Sequence, residues 1–116
     1  MTSANTHSLL PHHRLRAYGV AVELLALVRA AQIRDRGLRD QALKAAQSAC
    51  LNTAEGAGRV LRGDKARAYG IARAEAIEAI AATEIAVHSG AARAEVLPSV
   101  LAKGNELYAL LSALVR

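Results

Sequence analysis

The sequence predicts an all-α fold, an up-and-down antiparallel bundle of four helices. Apolar residues recur at steps of three and four, turn and capping residues divide the chain into four such stretches, and no segment alternates with the period of a strand. The core must be assembled from Ala, Leu, Val and Ile, because 53% of the residues are hydrophobic but only 3% aromatic. A core of that kind favours closely packed helices. At 116 residues the chain is long enough for one such domain.

Residues 1–12 are polar, contain Pro11 and show no period, so they read as a flexible leader before a bundle domain over residues 13–116. His7, His12 and His13 lack the rigid setting a metal site needs, and no metal is expected. The first helix is predicted over 13–33, with Leu15, Tyr18, Val22, Leu25 and Val28 on its inner face. Gly37 is expected to terminate it in the left-handed conformation, with Arg34, Asp35 and Arg36 forming an exposed turn. The short connection makes the first two helices antiparallel neighbours.

The second helix is predicted over 38–61, about 36 Å long at the standard rise. The small residues Ala42, Ala46, Ala49, Thr53 and Gly56 give it a row that another backbone can approach closely. Gly63 then reads as a stop and Asp64 as the N-cap of a third helix over 65–88. Its Ile77, Ile80 and Val87 mark one face, and Ile71, Ala74, Glu78, Ala81 and Ile85 another. The last helix, over 93–115, carries a core pattern of Leu97, Val100, Leu101, Gly104, Leu107, Tyr108, Leu111, Leu114 and Val115. Pro98 is tolerable there if it falls in the first turn.

On the second helix Leu38, Gln41, Ala45, Ser48, Asn52, Glu55 and Arg59 lie in one stripe that begins apolar and ends polar. A seam built only to exclude water would not end that way. Gln41, Ser48, Asn52, Glu55 and Arg59, with Glu78 opposite, are expected to form a hydrogen-bonded network that fixes register. Arg59 and Glu78 lie at unequal depths from the turn near Gly63, which leaves open a pair within one subunit or across a subunit contact.

The stripe, with Lys44-Ala45 and the run Asn52-Thr53-Ala54-Glu55-Gly56-Ala57-Gly58-Arg59, resembles the pattern of the four-helix-bundle proteins encoded in intervening sequences of bacterial 23S ribosomal RNA genes. A second block, Ala72, Arg73, Ala74, Glu75 and Glu78, resembles the same family, except that Ala74 and Glu75 stand where it usually has glycine and serine. The resemblance covers about residues 15–115. It implies an up-and-down bundle assembled as a ring, a homopentamer, without enzymatic activity. The chain is also similar to the accessory protein of diversity-generating retroelements, which implies work alongside a reverse transcriptase and nucleic acid.

The net charge of +5 rests on fifteen basic residues, twelve of them arginine. Arginine forks two hydrogen bonds to a phosphate where lysine offers a point charge. Arg59, Arg62, Lys65, Arg67 and Arg73 form one basic cluster, and Arg34, Arg36, Arg39 and Lys44 a second. Both are expected to bind structured nucleic acid, RNA in the first instance, through phosphates. The alternative is a protein-binding assembly scaffold, such as an accessory subunit of a reverse transcriptase.

An enzyme is not expected. Glu55 and Glu78 are the one candidate acid–base pair, and no aromatic sugar platform, phosphate-cradling glycine loop or metal-ligand spacing accompanies them. Cys50 is the lone cysteine, which excludes an internal disulfide and suits a reducing cytoplasm. The most apolar stretch, residues 20–28, is broken by Glu23, so no membrane span is expected.

Overall fold

Four helices make up the computed structural model, which describes residues 9–116: α1 Arg16–Ala30, α2 Arg36–Gly58, α3 Arg62–His88 and α4 Leu97–Val115. No strand occurs among the described residues. Most of the leader, His7 included, lies outside them. Pro11–Arg14 forms one 3-10 turn ahead of α1, and the His12 ring meets Tyr18 edge-on with centroids 4.7 Å apart.

Contacts between side chains fix the helix directions. Arg16 reaches Glu106 and Lys103 reaches Glu23, so α1 and α4 run antiparallel. Gln41 meets Glu78 near one end of the α2–α3 pair, and Gly56 faces Tyr69 near the other. Arg73 meets Ser112, and Gly104 lies against Ile80, which reverses α4 against α3. The α2–α3 pair makes the most extensive contact in the molecule. No helix among the described residues is long and apolar enough to cross a membrane.

Several helix ends differ from the sequence expectation: α1 begins at Arg16 and α4 at Leu97, each behind a 3-10 turn, Pro11–Arg14 and Ala94–Val96, and the residues read as stops and caps take other places. Gly37 does not close α1. The left-handed position is Gln32, at φ 50°, and Gly37 lies in the first turn of α2, because the Asp35 carboxylate accepts the Leu38 N–H at 2.9 Å and caps that helix. Gly63 and Asp64 likewise fall inside α3, which begins at Arg62 behind Leu61. There Asp64 contributes as an acid in the first turn, where the helix dipole favours negative charge. The helix α2 ends at Gly58 instead of residue 61, with the Lys65 ammonium donating to the carbonyls of Gly56 at 3.1 Å and Ala57 at 3.0 Å. Those carbonyls have no partner within their own helix, so Lys65 of α3 finishes α2. Pro98 occupies the first turn of α4, where no intrahelical N–H is needed.

The last helix buries Val100, Gly104, Leu107 and Leu111 of its expected row but leaves Tyr108 exposed, and in α1 and α3 the core is made of smaller residues than the pattern suggested. In α1 the buried face is Ala17, Val20, Ala21, Leu24 and Val28, while Tyr18 and Leu25 are half-buried and Val22 is exposed. In α3 the buried row is Ala68, Tyr69, Ala72, Ala76, Ala79, Ala82, Thr83 and Ala86. It packs on Ala42, Ala45, Ala46, Ala49, Cys50, Thr53 and Gly56 of α2. Side chains this short let two helix axes come close, which leaves no room for isoleucine between them. Ile71, Ile77 and Ile85 consequently stand outside, 40%, 48% and 53% exposed. The buried hydroxyls of Thr53 and Thr83 each donate to the carbonyl four residues back, Ala49 and Ala79. Burial pushes the Cys50 thiol above its usual pKa.

Candidate nucleic-acid interface

The polar stripe of α2 follows the edge of the α2–α3 seam and is partly open to solvent. It holds separate contacts instead of one continuous network. Gln41 Nε2 donates to Glu78 at 3.4 Å, Asn52 Nδ2 donates to the Ser48 carbonyl at 2.9 Å and to its hydroxyl at 3.1 Å, and Arg59 donates to Glu55 at 2.6 Å. Arg59 and Glu78 do not pair, because Glu55 lies one turn before Arg59 on the same helix and takes both of its contacts. The hydrogen bond to Glu55 also raises the Arg59 pKa further above its ordinary value.

Two clefts follow this edge. One, of about 310 Å³, is lined by Asn52, Glu55, Arg59, Asp64, Arg67 and Ile71. The other, of about 270 Å³, has Gln41, Lys44, Ser48, Glu75 and Glu78 around it. Glu55 and Glu78 thus belong to different clefts and share no enclosed space.

The first basic cluster divides three ways. Arg59 and Arg67 open into the Asn52 cleft, and Arg67 has no hydrogen-bond or ion-pair partner among the described residues. Arg62 donates to the terminal Arg116 carbonyl at 2.8 Å, and Lys65 is engaged in capping α2. Arg73 turns to α4, donating to Ser112 Oγ at 3.1 Å with its guanidinium carbon 5.6 Å from the centre of the Tyr108 ring. A cation over an aromatic face is an attractive arrangement that uses the face a base would need.

Of the second cluster, Arg34, Arg36 and Arg39 gather at the α1–α2 turn. Lys44 stands apart, between Glu75 and Glu78. Arg34 Nη2 donates to the Gly90 carbonyl at 2.6 Å, and its backbone N–H donates to Ala91 O at 2.7 Å, which ties this turn to the α3–α4 connection. Arg36 and Arg39 each lie 4.0 Å from Asp40, at the limit of an ion pair. A cleft of about 570 Å³ opens here, with Val28, Ile33 and Leu43 as its floor and Arg29, Gln32, Arg34 and Arg39 around it.

Sequence reasoning missed Arg29, Gln32 and Arg93 at this end. Nothing in the chain's spacing brings Arg93 to Arg34; the α3–α4 connection does so in space, and the two line an adjoining cleft with Gln32. A second missed group is the chain Arg16–Glu106–Lys103–Glu23, linked at 2.7, 3.2 and 2.9 Å. Its Lys103–Glu106 step, three residues apart on one helix, was the visible signal. Hydrogen bonds from Arg16 first and Lys103 second hold the Glu106 carboxyl below the usual carboxylate range.

A family model described as 23S rRNA-intervening sequence protein matches residues 14–113, from the 3-10 turn to the last turn of α4. A search of curated proteins finds none that matches the chain.

Proposed function

The chain belongs to the 23S rRNA-intervening sequence protein family, and from that premise we propose that it is a non-enzymatic cytoplasmic protein that assembles as a ring and binds structured RNA. The resemblance in the polar stripe suggests five copies. The observation that carries the RNA half is where the arginines stand: Arg34, Arg36, Arg59 and Arg62 are exposed in or beside the turns that join the helices, and Arg67 is exposed in the second turn of α3. Contacts of this kind are made to phosphates, weaken with salt and depend little on sequence. Support for assembly comes from Ile71, Ile77 and Ile85, large apolar side chains turned away from an alanine core.

The same isoleucines support a second reading, a scaffold for another protein such as a reverse transcriptase. Light scattering on the purified protein, with salt stepped from low to high and then with structured RNA added, tests both. An oligomer that gains mass with RNA at low salt and releases it at high salt supports the RNA reading. An oligomer indifferent to RNA moves the reading to the protein scaffold, and a monomer removes the ring.

A further inference from the structure

The cleft at the α1–α2 turn differs from the others in its electrostatics. The clefts around Asn52, around Lys44 and between α1 and α4 each carry two carboxylates: Glu55 and Asp64, Glu75 and Glu78, Glu23 and Glu106. The cleft holding Arg29, Arg34 and Arg39 has none in its lining, and neither does the adjoining one holding Arg34 and Arg93. Gln32 and Arg34 belong to both.

Three features of this place combine. Arg34 donates to the Gly90 carbonyl at 2.6 Å, which holds its guanidinium, and Arg39 lies between a long contact of 3.4 Å to the Ile33 carbonyl and Asp40 at 4.0 Å, with further donors available on both. Arg29 has no partner among the described residues. The floor, where Leu43 is half-buried, is apolar. At its rim Gln32 sits at φ 50°, a conformation that glycine adopts more easily, so an amide occupies a position where helix closure alone would favour glycine.

From this we propose that the cleft receives a single unpaired nucleotide extruded from a structured RNA. Phosphates meet the arginines, the base lies against Leu43 and a guanidinium plane, and the Gln32 amide hydrogen-bonds the base edge. Arginine planes and aliphatic side chains stack on bases where aromatic residues are lacking, and an amide both donates and accepts. The volume of about 570 Å³ accommodates a nucleotide. The proposal rests on the RNA reading above and adds to it a preference that phosphate contacts alone do not give.

The test measures binding of the full chain to an RNA hairpin, to the same hairpin with one bulged 2-aminopurine, and to a free nucleoside monophosphate. The bulged hairpin is expected to bind about tenfold more tightly than the perfect one, with a change in 2-aminopurine fluorescence. Gln32→Gly relieves the backbone conformation, so its melting temperature holds or rises while the tenfold preference collapses. Arg39→Gln reduces the preference as well. Equal affinity for both hairpins in the wild-type protein, or a preference that survives in both variants, overturns the proposal. Nucleoside monophosphate bound as tightly as the bulge makes the cleft a site for free nucleotides and overturns it too. Binding to neither hairpin overturns the RNA reading itself, and the extruded nucleotide with it.

Discussion

Gly56 of α2 lies directly against the ring of Tyr69 on α3. A Cβ placed on Gly56 would come within 2.6 Å of the ring carbon Cε1 and 2.7 Å of Cδ1. Tyr69 is itself buried and cannot swing aside. Gly56→Ala therefore forces the helices apart at this level. Overpacking of this kind costs about 1–3 kcal/mol, against a gain in helix propensity of about 1 kcal/mol. A thermal melt lowered by a few degrees is expected. Gly58, with nothing near its missing Cβ, is the control, and Gly58→Ala should not lower the melt.

The outward isoleucines give the second prediction. Ile71 and Ile85 share a row with Ala74 and Glu78, and Ile77 stands beside it. The double variant Ile71→Glu, Ile85→Glu leaves the alanine seam untouched, so helical circular dichroism should be retained. Burial of an isoleucine is worth about 1.5–3 kcal/mol, and losing two per subunit should dissociate an assembly built on this face. An unchanged mass by light scattering would place the subunit contact elsewhere.

A third prediction concerns pH. The Glu106 carboxyl titrates below its ordinary value, through Arg16 first and Lys103 second. A depressed carboxylate contributes stability that is complete above the unfolded pKa, about 4, and is lost as pH falls through the folded value. Glu106→Gln should flatten the acid limb of a stability–pH curve below about pH 4 and leave the neutral region parallel to wild type. An identical acid limb in the variant would show that the Arg16–Glu106 contact at 2.7 Å carries no stability. The group is well solvated, so the difference should be small and should shrink with salt.

Lys65 and Arg67 separate structural from binding charge. Lys65→Gln removes the ammonium from the carbonyls of Gly56 and Ala57, and about 1 kcal/mol of stability should go with it while RNA affinity holds. Arg67→Ala should do the reverse. Stability stays within about 0.5 kcal/mol, and the slope of log affinity against log salt falls by about one for each phosphate that the variant no longer neutralises. Urea melts and salt-stepped binding curves on both variants distinguish the two roles.

Much of the fold was legible in the chain because periodicity and turn residues act locally. The four helices and their order follow from such signals, but Pro98 stands in a first turn only because α4 starts at Leu97 and not at residue 93, behind a 3-10 turn over Ala94–Val96. Helix ends were less legible: Gly37 and Gly63 look like terminators, but Asp35 caps one helix and α3 starts before the other. Which face of α3 is inner was hidden for a different reason. Hydrophobicity ranks isoleucine above alanine, whereas along most of its length α2 offers a partner surface that small side chains approach closely, with Tyr69 accommodated only opposite Gly56. The basic clusters were visible as composition, but their division was not. Lys65 turning back to α2, Arg73 leaning over Tyr108 and Arg93 joining Arg34 are tertiary facts with no local spacing to announce them.

The alanine seam has an entropic consequence. Alanine has no rotamers to lose, so the two longest helices come together with almost no side-chain ordering, whereas a leucine or isoleucine fixed in a core gives up about 0.5–1 kcal/mol. In the single chain that loss is deferred, because Ile71, Ile77 and Ile85 remain free to rotate at the surface. Whatever covers them must supply it.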